Sequence, residues 1–383
     1  MAKSKQYTKQ ETQNNVFEHS QAKLDFYRSY LWRYLTILLS DAYTTKINIF
    51  DVFCGVGVYD NGGKGSPIIA MDAIKEMNEK FPTKQVTLTI NDLDKARVDF
   101  VSTYISEHYR IQRDVLKSHN IDASDMLKAV ILHIAKTTSE EKNLVFIDPY
   151  GYKEIYKKDI LDIMNAGKSE IILFLPISNM YRFSKVALTD EKNASYAHLQ
   201  RFIADFFEDK SHPILDGNFE HQLEYIKFIK DALSFNNKYY TASYTIQRDT
   251  KNYYALFFLT SHIYGLHQIV DTKWKLDENA GQGFSKIQEK HLFSDDFDTD
   301  RQEKYFLNFE NSLKIFLDEY KSNKQIYEFT LKEGFQPKHA NMILEKIKGL
   351  LIFENNYKPK ARYYLLGFKY WKEQEIRYRV KIK

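Results

Sequence analysis

Cysteine is nearly absent: Cys54 is the single one in 383 residues. That excludes a disulfide framework and any cysteine-rich zinc or iron–sulfur site on this chain. It also fits a reducing, cytoplasmic setting. No apolar run reaches the length of about eighteen residues that a membrane span needs. The opening "MAKSKQYTKQETQNN" lacks the apolar core of a signal peptide, so none is expected. No internal repeat is visible. His262 and His267 follow an apolar strand with no acid or cysteine at ligand spacing, so no metal site is expected.

Charge is present but uneven. From Lys321 to Lys383 there are 15 Lys and Arg against 6 Asp and Glu, a balance of +9 inside a chain whose net charge is +4. A small basic module on a mildly acidic body points to nucleic-acid contact.

Residues 16–39 carry Leu24, Tyr27, Leu31, Tyr34, Leu35 and Leu38 at helical spacing, which predicts one long amphipathic helix. The pattern then changes. "KINIFDVF", "VTLTIND", "NLVFID" and "EIILFLP" are β-branched apolar runs separated by helix-like stretches. Near-continuous apolar strands alternating with helices predict a doubly wound, mostly parallel α/β sheet. Residues 180–235 lack strand signals and read as a helical insertion. "KYYTASYTIQ" and "NYYALFFLTS" read as a hairpin turning at Arg248–Asn252. The expected divisions are an N-terminal helical segment 1–45, an α/β domain 46–275, an acidic, helical linker 276–320 and a basic domain 321–383. In that last domain "NKQIYEFTL", "QPKHANMILEKIKGL" and "LIFENNYKPKARYYLLGF" suggest a winged helix-turn-helix. Its two final strands would flank a basic loop, and Pro337 would open its second helix.

The chemistry-bearing residues fall at the ends of the strands. The first strand runs into "DVFCGVGVYDNGGKGSP", making Asp51, Phe53, Gly55 and Gly57 candidate cofactor contacts, because glycines let backbone approach a ligand. Asp60 stands where a dinucleotide fingerprint has its third glycine, which argues against NAD. Asp92, about 35 residues on, can accept from both hydroxyls of a ribose. Asp122 and Ala123 can address an adenine edge. The fourth strand delivers Asp148, Pro149, Tyr150 and Gly151. This order is that of an S-adenosylmethionine site in doubly wound methyltransferases, wrapped around the crevice at the carboxyl ends of the strands.

An Asp-Pro-Tyr tip suits methyl transfer to an exocyclic amine. Such an amine is a poor nucleophile until its two N–H groups are held. Asp148 and the carbonyl near Pro149 can accept them, and Tyr150 can stack the base. Cys54 lies under the glycine loop and reads as a small buried residue rather than a nucleophile. His19 and Lys23 lie one helical turn apart, fitting a structural or capping role, a cover over the cofactor or a solvent-facing position. Arg182 fits either a phosphate or substrate contact or a plain surface position. Lys338, Lys346, Lys348, Lys358, Lys360 and Arg362 are the candidate phosphate contacts.

Several blocks together, "VFEHSQAKLDFYRSYLWRYLTIL", "IFDVFCGVGVYDNGGKGSP", "INDLDKAR", "NIDASDML", "FIDPYG", "ILFLPISNMYRF" and "NYYALFFLTSHIYGLHQI", resemble the three-Cys-motif partner family across residues 16–275. That resemblance implies a Rossmann-like methyltransferase fold and a bacterial protein working with a cysteine-bearing partner, for which a radical iron–sulfur protein is one candidate. The tip also resembles the Asp-Pro-Phe-Gly of tRNA guanine-N2 dimethyltransferases and, more loosely, the Asp-Pro-Pro-Tyr of DNA adenine methyltransferases. It lacks the second proline of the latter, so guanine N2 and adenine N6 both stay open. A non-catalytic or cofactor-sensing, nucleic-acid-binding subunit of a bacterial defence complex is the alternative.

Overall fold

A computed structural model describes residues 17–110, 115–190, 193–249, 251–285, 294–359 and 364–383. Its contacts group into two compact units. One holds the described residues up to Ser261 together with Phe284–Ser285; the other holds His262–Gly283 and those from Ser294 onward.

The first unit begins with α1 (Glu18–Ser40), whose Leu24, Phe26, Tyr27, Leu31, Leu35 and Leu39 are buried. The buried stripe passes through Leu39 rather than the expected Leu38, which is only half-buried. Then come β1 (Lys46–Asp51), α2 (Ser66–Lys80), β2 (Gln85–Asn91), α3 (Lys95–His108), β3 (Leu116–His119) and α4 (Ala123–Lys136). They are followed by β4 (Glu141–Ile147), α5 (Lys157–Asn165) and β5 (Ser169–Leu175). The stretch expected to be a helical insertion holds α6 (Ile177–Thr189), α7 (Ala197–Phe206) and α8 (Gln222–Ala232). The hairpin β6 (Tyr240–Gln247) and β7 (Tyr253–Thr260) turns where the sequence indicated.

One sheet runs in the order β3-β2-β1-β4-β5-β7-β6, with a short edge strand β8 (Gly283–Ser285). β1 to β5 are parallel, and β7 runs antiparallel to both β5 and β6. This is the strand order of the Rossmann-like methyltransferase fold, and the mostly parallel α/β class expected from the sequence. A polar ladder fixes its centre. Asn48 of β1 is in register with Thr87 of β2 and Asn143 of β4. The Asn48 amide donates to Asn143 Oδ1 at 3.1 Å and accepts from Thr87 Oγ1 at 2.9 Å. All three are buried, so a one-residue slip would leave amides unpaired at a cost of about 1–3 kcal/mol each.

The second unit contains α9 (Ile263–Leu276), α10 (Ser294–Phe316), β9 (Lys321–Ser322), α11 (Asn323–Lys332), α12 (Pro337–Lys346), β10 (Leu351–Phe353), α13 (Phe368–Trp371) and β11 (Arg379–Ile382). Ser322 and Gln325 form a capping box at the start of α11, and Pro337 opens α12 where no N–H is needed. Within the stretch expected as a linker, Phe309, Leu313 and Leu317 are buried, and Phe309 stacks on Phe335 at 3.9 Å. The last strand pairing differs from expectation. Leu351–Phe353 pairs antiparallel with Arg379–Ile382, which also pairs β9, whereas Tyr364–Phe368 forms no strand. Leu365 takes a left-handed φ of 53°, which interrupts any extended run there. No helix of the described residues is long and apolar enough to cross a membrane.

Candidate functional site

β1 lies between β2 and β4, so the carboxyl ends of these three strands share one rim. Asp51 ends β1 and is fully buried; the Ser66 hydroxyl and the Phe53 amide lie near its carboxylate, but neither oxygen is met in full hydrogen-bond geometry. Burial pushes its pKa up to about 7; Ser66 and the Phe53 amide oppose that shift, while Asp148 and Asp92 add to it. The hydroxyl of Tyr27, whose ring stacks on Phe146 at 4.4 Å, is likewise buried and unpartnered. Burial and then Asp51 raise the Tyr27 pKa. Two adjacent groups thus keep unmet hydrogen-bonding capacity at the end of β1, which is costly unless a ligand completes it.

The glycine loop follows. Gly55 has φ +62° and open space where a side chain would stand. Gly57 has φ +69°, and a Cβ there would meet Val101 Cγ2 of α3 at 2.6 Å. Both positions demand glycine for their backbone, but only Gly55 leaves room above it. Cys54 is buried beneath the loop, and burial, followed by Asp51 and Asp92, raises its thiol, as expected of an inert core residue.

Asp92 is mostly buried. Its two oxygens accept from the amides of Gly55 at 3.1 Å and Asp94 at 2.9 Å. The carboxylate therefore clamps the glycine loop to the end of β2. Asp122 caps α4 by accepting from the Ser124 amide at 2.8 Å, and Ala123 is buried behind it. Two asparagines that the sequence reading left without a role brace this rim. Asn91 donates to Val52 O and Ile121 O and accepts from the Ile121 amide. Asn120 donates to the carbonyls of Asp92 and Leu93. For Asn91 the available signal was an asparagine closing an apolar strand run; Asn120 is exposed and had none.

Asp148 stands just past β4, with Pro149 buried beside it and Gly151 half-buried. Its carboxylate is bonded to the Lys23 ammonium of α1, the two side chains being 18% and 13% exposed. Burial by itself would lower the Lys23 pKa; Asp148, then Tyr59, override it and raise the ammonium above its ordinary value. Lys23 also lies 4.6 Å from the centre of the Phe174 ring. Of the roles open to Lys23, the structure places it over the Asp148 tip. His19, one turn earlier, stacks on Tyr254 at 5.6 Å, and Tyr254 stacks on Phe174 at 5.4 Å.

Tyr150 is 76% exposed. Arg97 of α3 donates to its hydroxyl at 3.3 Å and lies 3.5 Å from Asp94 and 3.8 Å from Asp92. Arg97 thus links the end of β2 to the tip after β4. Tyr59, in the small hairpin closed by Val58 and Lys64, faces the same groups: burial, Asp148, Tyr150 and Asp51 raise its pKa, and Lys23 lowers it. Tyr59 and Arg97 carried no sequence signal.

Other candidates fall elsewhere. Arg182 braces the β6–β7 turn through Lys251 O at 3.2 Å and Asn252 Oδ1 at 2.9 Å. A cavity of about 970 Å³ lined by Lys157, Phe206, Phe235 and Lys238 shares no residue with the Asp148 rim. In the second unit Lys338 and Lys358 are exposed, while Lys346 pairs with Glu310 at 2.7 Å and Lys348 with Glu345 at 2.6 Å. Lys360 and Arg362 lie outside the described residues.

No protein-family model matches the chain. No curated protein matches it either. Solved structures do align. Legionella pneumophila protein LPL1258 shares 13% identity at a TM-score of 0.39, covering 67% of this chain and 91% of its own. The O-methyltransferase TomG of Streptomyces achromogenes, solved with S-adenosylmethionine, shares 12% at 0.34, covering 65% and 82%. Human methyltransferase-like protein 13, solved with S-adenosylhomocysteine, shares 11% at 0.32, covering 72% and 98%. At these identities and scores the strand order itself, not the likeness, is what defines the fold.

Proposed function

We propose that this chain is an S-adenosylmethionine-dependent methyltransferase that methylates an exocyclic amine of a nucleobase in RNA or DNA. The observation that carries the reading is the convergence at one rim of an unpartnered buried carboxylate, Asp51, and a strand-end carboxylate, Asp148. A buried carboxylate to which no ammonium or guanidinium is bonded calls for a cationic group, and the amino-acid head of S-adenosylmethionine carries an ammonium. Gly55 leaves space for close approach and Asp92 retains lone pairs for ribose hydroxyls. Asp122 and Ala123 stand at the next strand end, where an adenine would lie. Bound there, the cofactor supplies an electrophilic methyl group. Asp148, with the backbone carbonyl beside Pro149, would hold the acceptor N–H groups and aim the nitrogen; the gain comes from orientation away from water.

The second unit supports substrate delivery. A helix, a strand, two helices joined by a turn and two closing strands follow the order of a winged helix-turn-helix, with Lys338 and Lys358 exposed for phosphates. The resemblance to the three-Cys-motif partner family adds a cysteine-bearing partner and a bacterial cytoplasmic setting to this reading.

Calorimetry with S-adenosylmethionine and S-adenosylhomocysteine tests it. Wild type binds both, Asp92→Ala binds more weakly, and Asp148→Ala binds nearly as wild type. Absence of binding to wild type contradicts the reading. A cofactor-sensing, non-catalytic subunit is favoured by one observation, that Asp148 is already engaged by Lys23. Such a subunit binds the cofactor yet transfers no methyl group to any nucleic acid.

A further inference from the structure

A planar amine held for alkylation needs a carboxylate for its N–H groups and a ring on which to lie. Beside the rim, one side chain engages both. The Lys23 ammonium bonds Asp148 and lies 4.6 Å from the centre of the Phe174 ring. An ammonium leaves water only where charge and a ring face compensate.

The ring is fixed in the sheet, whereas the cation ends a four-carbon stem with several rotatable bonds. Phe174 belongs to β5 in register with Leu256 of β7, and Tyr254 stacks on it at an interplanar angle of 12°. Lys23 arrives on the second turn of α1, whose first turn has no side-chain cap at Phe17. Helix starts without caps are the parts that open most easily. His19 joins this start to the sheet by stacking on Tyr254 at 5.6 Å.

We propose that Phe174 is the ring on which the acceptor base stacks, and that Lys23 is a placeholder that holds the seat of the acceptor amine and yields it to a planar, amine-bearing base. This rests on the nucleobase reading above and deepens it by naming the stacking residue. The stacking role moves from Tyr150, which is exposed and engaged by Arg97, to Phe174. A cation left beside a nitrogen that gains positive charge on alkylation would oppose the transfer, so Lys23 withdraws first. Its withdrawal costs every acceptor alike. That common cost lowers every affinity without changing their ranking; the ranking comes from the seat itself, which favours acceptors that pair with Asp148 and stack on Phe174 together over those that do only one.

The test is a fluorescence titration of the full chain, with saturating S-adenosylhomocysteine, using a single-stranded oligonucleotide that carries one 2-aminopurine. This base bears an exocyclic amine, and its emission falls when it stacks. Lys23→Met is expected to bind about tenfold tighter than wild type, since the displacement cost is gone. Phe174→Leu is expected to lose the quenching, Phe174→Tyr to keep it, and Lys23→Met/Phe174→Leu to lose the gain. Unchanged or weaker binding by Lys23→Met overturns the placeholder. Full quenching in Phe174→Leu, or none in a folded Phe174→Tyr, overturns the ring assignment. Calorimetry of S-adenosylhomocysteine on the same wild-type sample separates two kinds of failure. Without binding the methyltransferase reading falls and this inference with it; with binding and flat fluorescence arms, this inference alone falls.

Discussion

Replacing Asp51 by asparagine probes the site through a property that needs no substrate. The Asp51 carboxyl has a pKa of about 7 in the fold against an ordinary 3.8, chiefly because it is buried. The folded state therefore holds this proton more tightly than the unfolded state. Stability is complete below about pH 4, declines as pH rises, and levels off above about pH 7. A shift of about three units corresponds to about 4 kcal/mol lost by pH 8, at about 1.4 kcal/mol per pH unit. Asparagine cannot ionise, so the variant escapes this loss. Hydrogen exchange of peptides from β1 and β2, compared at the same pH, reads the first unit alone. The variant should gain about 2.3 kcal/mol over wild type between pH 5 and pH 7. A stability difference that is the same at pH 5 and pH 8 refutes the reasoning. The same carboxyl gives a second readout. A cationic cofactor head would drive Asp51 to its charged form, so binding near pH 6.5 should release a proton, visible as a buffer-dependent enthalpy.

Two further predictions follow from the glycine loop and the basic unit. Gly57→Ala should cost about 2–3 kcal/mol in denaturant melts, from its left-handed backbone and the 2.6 Å approach to Val101. Gly55→Ala should cost only about 1 kcal/mol yet weaken cofactor binding sharply, because the space it enters is empty of protein. In filter binding to RNA or DNA across a salt series, Lys338→Ala and Lys358→Ala should each lower the salt slope by about 1. Lys346→Ala and Lys348→Ala should lower it less, since Glu310 and Glu345 already engage those side chains.

What the sequence revealed and what it hid divide along a physical line. β1, β2, β4 and β5 were legible because strands buried on both faces leave uninterrupted β-branched and apolar runs. Strand ends were legible for the same reason: Asp51, Asp92 and Asp148 stand where such runs stop. Their local roles were less so. Asp92 clamps Gly55 and Asp122 caps α4, backbone tasks that any strand-end acid can take up. Lys23 and Arg97 reach their partners across 125 and 53 residues, and no local periodicity encodes so long a contact. The last expected strand was misplaced because "YYLLGF" looks apolar enough for a ladder. Tyr364 and Leu366 are indeed buried, but the left-handed Leu365 between them breaks the extended backbone.

Methyl-tritiated S-adenosylmethionine, incubated with the full chain and either total RNA or genomic DNA, tests the central claim most directly. Wild type should place label on an N-methylated base in one of the two pools, and Asp148→Ala should place none while still binding the cofactor. Label transferred equally by both proteins, or by neither despite tight cofactor binding, would contradict the catalytic account.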